Sequence, residues 1–259
     1  MAINDVGALQ YYFNGKIFDL VGLVTNKQAM AFRNGIPTVF EKLERVRPEY
    51  FMVHVGWFNY DPYTIYTRPR MKEFSIPKEP PYYVIGAPEI AVKTDMSLFN
   101  SGDNMQYDWT ENNVFTLKGK LDIADLDDEE KAGYRIKTRH KGEYPGTRMK
   151  EENYGPAGAR VLDAGRNTNG SESFIVKGLN PGADLKIVKR VHKGPSCVME
   201  VFAGKEPAGE WVIKDKGGFS EEEFLVPGVL IKSGEIEIIV KAKTNRRFNS
   251  YYYWFLQRR

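Results

Sequence analysis

Three groups of residues in this chain have types and spacings that could do chemistry. Asp5 and Asp19 fall on the two arms of an expected β-hairpin. A cross-strand carboxylate pair there would serve acid/base work, and Val6-Gly7 would offer backbone N–H groups to an anion. In the plainer reading both carboxylates bond local backbone at strand ends. The second group is aromatic: Trp57, Tyr60, Tyr63 and Tyr66 cluster in one stretch, and Tyr107, Trp109, Tyr144, Tyr154 and Trp211 recur later. The apolar faces of sugar rings lie on such rings while polar neighbours take the hydroxyls. Trp57, Tyr60, Tyr63, Tyr66, Trp109 and Trp211 are therefore candidate carbohydrate contacts, against the alternative that they fill a core. The third group is acidic: Asp122, Asp125, Asp127, Asp128, Glu129 and Glu130 supply the oxygen ligands calcium takes, without the spacing of a calcium loop. A solvated acidic turn is the competing reading.

Other signals point away from catalysis. Ser196 beside Cys197, with His192 four residues earlier, resembles a nucleophile and base. On a strand such residues lie about 13 Å apart, too far for proton transfer. Cys197 sits in a Val/Met/Phe run and reads as a buried, inert thiol. As the single cysteine it forms no disulfide within the chain. The 3 histidines are scattered and lack metal-ligand spacing, so no metal ligand set and no catalytic residue is assigned. Phosphate-loop, dinucleotide and nucleophile-elbow fingerprints are missing. Asn169-Gly170-Ser171 is a glycosylation acceptor sequence of little weight alone.

The elements that must position these residues change character along the chain. Val6–Phe13 and Lys16–Leu23 read as strands joined by Asn14-Gly15, a type I′ turn pair. Val39, Leu43 and Val46 have helical spacing between Pro37 and Pro48, and Tyr50–Trp57 is an apolar run suited to a buried strand. Six prolines between Pro62 and Pro88 break residues 58–112 into an irregular, aromatic-rich connector, with one expected strand at Tyr82–Ile85. From about residue 113 short alternating runs separated by turn residues predict an antiparallel β-sandwich, jelly-roll-like. Expected strands are Val114–Leu121, Tyr134–Arg139, Arg160–Leu162, Glu172–Val176, Leu185–Val191, Cys197–Phe202, Glu210–Ile213, Phe219–Val226, Glu235–Lys241 and Tyr251–Leu256. The fold class is α+β: a small α/β unit (β-hairpin, helix, strand) with its connector over 1–112, then a sandwich over 113–259.

Composition bounds the function. With 42% hydrophobic and 13% aromatic residues the 259-residue chain fills its cores. Its 37 basic and 34 acidic residues are interspersed, which singles out no nucleic acid partner. No run of 18 apolar residues spans a bilayer, and the amino end lacks a signal-peptide layout. The chain opens directly in expected strand, as a domain cut from a longer protein would.

Asn4-Asp5-Val6-Gly7-Ala8-Leu9-Gln10-Tyr11-Tyr12, with Lys16-Ile17-Phe18-Asp19-Leu20-Val21-Gly22-Leu23 and Arg47-Pro48-Glu49-Tyr50, resembles a stretch that follows the last membrane helices of certain glycosyltransferases. These are the polytopic, dolichyl- or polyprenyl-phosphate-sugar-dependent, mannosyltransferase-like enzymes. Lys120–Leu126 and Gly178–Leu185 are similar to segments of the same proteins. The resemblance implies a non-catalytic, extracytoplasmic accessory domain. Its partners would be a membrane-embedded remainder and, through the sandwich, a glycan, with no cofactor beyond the calcium considered above. The competing readings are a free-standing enzyme on sugars using Asp5, Asp19 and the 57–66 aromatics, and a structural interaction module.

Overall fold

Short alternating runs become strands through most of the second half of the chain. The computed structural model describes residues 1–3, 9–25, 27–54, 72–74, 89–94, 96–154, 158–194, 196–214 and 216–259. They divide into two units, Met1–Asn100 and Ser101–Arg259.

The first unit contains β1 (Ala2–Ile3), α1 (Leu9–Tyr12), β2 (Phe18–Asp19), α2 (Gln28–Arg33), α3 (Ile36–Val46), β3 (Tyr50–His54), β4 (Lys72–Phe74) and β5 (Glu89–Lys93). Its sheet runs β2-β1-β3-β5-β4. Helix α3 forms where helical spacing predicts it. Gly35 at φ 98° opens the helix ahead of Pro37, and Arg47 at φ 48° closes it with its N–H on the Leu43 carbonyl. The expected amino-terminal hairpin is corrected. Leu9–Tyr12 is helical, and β1 pairs with β2 in parallel, Ala2 opposite Phe18 and Ile3 opposite Asp19. A parallel pair needs a crossover rather than a two-residue turn, so Asn14-Gly15 does not join two paired strands. The expected strand Tyr82–Ile85 lies outside the described residues.

The second unit runs β6 (Phe115–Asp122), α4 (Leu126–Lys131), β7 (Arg135–Lys137), β8 (Gly146–Tyr154), β9 (Ala159–Thr168), β10 (Ser171–Lys177), β11 (Leu185–His192), β12 (Cys197–Ala203), β13 (Glu206–Ile213), β14 (Phe219–Val226), β15 (Glu235–Ala242), β16 (Phe248–Ser250) and β17 (Tyr252–Arg258). An antiparallel sheet in the order β13-β12-β15-β10-β7 faces a second in the order β14-β11-β17-β6, and a ribbon, β16-β9-β8, stands beside them. This is the expected β-sandwich. Its core alternates inward from both sheets: Phe174 on β10 lies 4.7 Å from the Tyr253 ring and 5.4 Å from Phe255, both on β17. Met199, Val201, Ile238 and Val240 complete the same layer with Leu185 and Ile187. Each such side chain contributes about 1.5–3 kcal/mol on burial.

The second sheet is covered on its other face as well. Tyr252, Trp254 and Leu256 of β17 pack with Val188 and Phe115, and Met105 and Trp109 lie against them. Every residue of β11 is consequently buried, including its charges. Lys189 faces the inter-sheet core and meets Glu172 at 3.1 Å, both within 1% of full burial. Glu172 also accepts from the hydroxyls of Tyr134 (2.9 Å), Ser250 (2.8 Å) and Tyr253 (2.5 Å). Burial pushes both tyrosine hydroxyls well above their ordinary range, and the Glu172 charge adds to it. Arg190 points the opposite way, to Asp163 at 2.7 Å, Glu221 at 3.5 Å and the Asn104 carbonyl at 2.7 Å. In sequence Leu185, Ile187 and Val191 alternate with Lys186, Val188 and Arg190, a mostly apolar face against a mostly charged one, and the fold buries both. Buried charges persist when paired and hydrogen-bonded, and these partners lie far away in sequence.

Candidate functional site

Adjacent antiparallel strands gather their connections at the sandwich ends. At one end Lys137 and Lys241 stand opposite Ser171, Ile213 opposite Cys197, and His192 opposite Phe219. Residues 138–145, 169–170 and 243–247, with Lys193, Gly194, Lys214 and Lys216, therefore meet at a single tip.

Asn169, only 4% exposed, pins three of these connections. Its Oδ1 accepts from the Arg139 N–H (3.1 Å), and its Nδ2 donates to Glu143 Oε2 (2.8 Å) and Asn245 Oδ1 (3.1 Å). His140 Nε2 lies 3.2 Å from the same Asn245 oxygen. Arg139 Nη2 donates to the Ala242 carbonyl at 2.7 Å, and Arg246 Nη1 to the Ser196 carbonyl at 3.1 Å. Gly170 permits the close approach: a Cβ there would lie 2.3 Å from the Lys137 carbonyl. Tyr144, next to Glu143 in the chain, is 80% exposed. The Asn245 amide nitrogen, on an exposed residue, has no hydrogen-bond partner among the described residues. An exposed ring can take a sugar's apolar face, and fixed amides can take its hydroxyls.

A small pocket opens at the same tip. Val191, Cys197, Ile213 and Phe248 supply its apolar lining, His192, Ser220 and Asn249 further polar groups, and Lys193, Lys214, Lys216 and Arg247 its cations. It opens to solvent, and its interior of about 20 Å³ has room for roughly one water-sized group. His192 is held firmly: its N–H donates to Asn249 Oδ1 (2.8 Å), its carbonyl accepts from Asn249 Nδ2 (3.0 Å), and its ring meets Phe219 edge-on at 5.1 Å. His192 Nε2 is 2.7 Å from Glu152 Oε1. That hydrogen bond holds the Glu152 carboxyl below its usual range. The ring engages Glu152, and burial pushes the Cys197 thiol up, so His192 and Cys197 do not form an activated nucleophile–base pair.

The remaining expected site residues are placed elsewhere. Trp211 lies in the inter-sheet core at 3% exposure, its ring 5.5 Å from Phe224, and presents no face to solvent. Trp109 is half-buried over the second sheet, donating its indole N–H to Glu221 Oε2 at 2.7 Å, with Tyr107 edge-on at 6.2 Å. Asp19 takes its plainer role: Oδ1 accepts from Val21 (3.1 Å) and Gly22 (2.8 Å), Oδ2 from Val24 (2.7 Å). Asp5, Trp57, Tyr60, Tyr63 and Tyr66 lie outside the described residues.

Several carboxylates considered for calcium serve the structure. Asp125 caps α4 by accepting from the Asp127 and Asp128 N–H groups at 2.8 and 3.3 Å, and Asp128 meets Lys131 at 3.1 Å. Glu129 binds Arg166 through both oxygens, at 2.5 and 2.8 Å. Sequence reasoning named Tyr144 among the recurring aromatics and Asn169 only as a glycosylation acceptor, and it missed Asn245 and the basic pocket. Clustering of Asn and Arg in the turn segments was the available signal.

A domain of unknown function, DUF8728, matches residues 1–113. No curated protein matches the chain. Among solved structures, a family 35 carbohydrate-binding module from Clostridium thermocellum is 12% identical, covering 54% of this chain and 96% of that one with a TM-score of 0.34. The family 35 module of Abf62 from Cellvibrio japonicus is 12% identical over 53% of this chain and 91% of its own, TM-score 0.35. The C-terminal family 6 module of the laminarinase LamC from Zobellia galactanivorans is 14% identical over 53% and 97%, TM-score 0.31.

Proposed function

We propose that the second unit is a non-catalytic glycan-recognition module whose binding surface is the tip built around Asn169. The observation that carries the reading is an amide cluster already fixed by hydrogen bonds, with the exposed Tyr144 next in the chain to its Glu143. Preorganised polar groups lose little entropy on binding, which favours recognition of a hydroxyl-rich ligand. The wider setting, an extracytoplasmic accessory domain tethered to a membrane-embedded glycosyltransferase-like protein, is part of the same proposal. It rests on the residue match at Asn4–Leu23 and Arg47–Tyr50, since the hairpin it implied is replaced by a parallel pair. Among the described residues no helix is long and apolar enough to cross a membrane.

The test is a glycan array probed with the full chain, followed by titration calorimetry on the best binder. Tyr144→Ala is expected to lower affinity about two- to tenfold, the worth of an aromatic contact, with an unchanged melting temperature. Asn245→Ala should weaken binding in the same way. Absence of binding across the array, or full affinity in both variants, would rule the reading out.

A further inference from the structure

We infer that the saccharide taken at this tip is acidic, its carboxylate or sulfate group seated against Lys214 and Arg247. The inference rests on the glycan reading above and adds the ligand's charge.

Four cations border the pocket, and among the described residues no carboxylate lines it. Two of the four are already answered: Lys216 by Glu222 at 2.7 Å and Lys193 by Glu152 at 3.7 Å. Lys214 and Arg247 have no hydrogen-bond or ion-pair partner among the described residues. Both are exposed, so neither is tied down by packing. Glu143, the carboxylate in the neighbouring amide cluster, is committed to Asn169. His140, Lys141 and Arg246 add further positive or titratable groups on the connections around it. Lys214 and Arg247 thus leave two cations unpaired among the described residues over an apolar floor of Cys197 and Phe248.

Pocket size sets what enters. An interior of about 20 Å³ suits one small group projecting from a ring held outside. A planar carboxylate or a sulfate oxygen matches the fork of an arginine, and charge-assisted bonds to both cations outweigh those a neutral hydroxyl would make. Because the cations are exposed, the attraction is screened over roughly 8–10 Å at physiological salt. Affinity should therefore fall as salt is added.

Titration calorimetry of the full chain separates the possibilities with four probes. These are tetragalacturonate, a chondroitin sulfate tetrasaccharide, the carboxyl-reduced neutral counterpart of the first, and an oligothymidylate of similar charge. We expect an acidic sugar to bind about tenfold or more tightly than its neutral counterpart. Arg247→Gln and Lys214→Gln should each reduce that preference about threefold or more, and the double variant abolish most of it, with an unchanged melting temperature. Which acidic sugar binds more tightly identifies the anion. Equal affinity for neutral and acidic sugars, with both variants silent, would overturn the inference and leave the glycan reading intact. Failure of every sugar to bind would remove the glycan reading and the inference with it. Oligothymidylate binding as tightly as the acidic sugars would show a general polyanion surface and also overturn the inference.

Discussion

Glu172→Gln tests how the sandwich core tolerates charge. The carboxylate serves Lys189 at 3.1 Å and the Ser250, Tyr253 and Tyr134 hydroxyls at 2.5–2.9 Å, all inside the packed layer between the sheets. A glutamine keeps the shape and one acceptor oxygen, and hydroxyls can rotate to accept from its new NH2 group. The loss it cannot mend is the counter-charge of the Lys189 ammonium, whose side chain has 0% exposure. Breaking a buried pair from one side costs about 3–5 kcal/mol. For a unit the size of Ser101–Arg259, each kcal/mol moves the melting temperature by about 2–4 °C, so a fall of roughly 8–16 °C is expected for a 4 kcal/mol loss. Adding Lys189→Met to Glu172→Gln removes the stranded charge at similar volume and should recover most of the fall. Thermal and urea unfolding of both singles and the double variant give the cycle. A loss under about 1 kcal/mol for Glu172→Gln, or no recovery in the double variant, would refute the reasoning.

Other perturbations probe separate parts of the second unit. Gly165→Ala builds a Cβ 2.4 Å from the Ser250 carbonyl, whereas Gly119→Ala meets only the Phe255 ring at 3.7 Å. Thermal melts should show about 1–3 kcal/mol of loss for the first and near neutrality for the second. Trp109→Phe removes the donor to Glu221, itself an Arg190 partner, and is expected to cost about 1–3 kcal/mol in urea unfolding. The Glu152 carboxyl, held below its ordinary 4.5 by His192, stabilises the fold above that value, and the contribution is lost as pH falls through the lower folded value. Melting temperature against pH between about 3 and 6 should fall less steeply in Glu152→Gln than in the parent.

Much of the second unit was legible in the sequence because its strands alternate. Ile236, Ile238 and Val240 against Glu235, Glu237 and Lys241 read as a half-buried strand, and β15 is one, with Ile238 and Val240 buried and the charged residues exposed. β8 was missed because Gly146–Tyr154 carries charge at so many positions that no apolar face shows. Helix α4 was read as an acidic turn, since its six residues hold four carboxylates and its cap lies just before them. The interior charges of β11 were unreadable for another reason: Lys189 and Arg190 are matched by Glu172, Asp163 and Glu221, pairings only the fold creates. The site was less legible still. Aromatic count cannot tell Trp211 in the core from Tyr144 in the open, and Asn169 gains its role from connections distant along the chain.

Strand β17 lies in the middle of its sheet, with β11 on one side and β6 on the other. The ladder that sets Asp122 beside Tyr252 therefore joins the unit's first strand to its last. During synthesis β6 must wait beside an empty slot until nearly all of the intervening chain has left the ribosome. Until then Val188 and Phe115 lack the rings that cover them, leaving a transient apolar face. A stop codon ahead of Tyr252 would leave that face permanently uncovered.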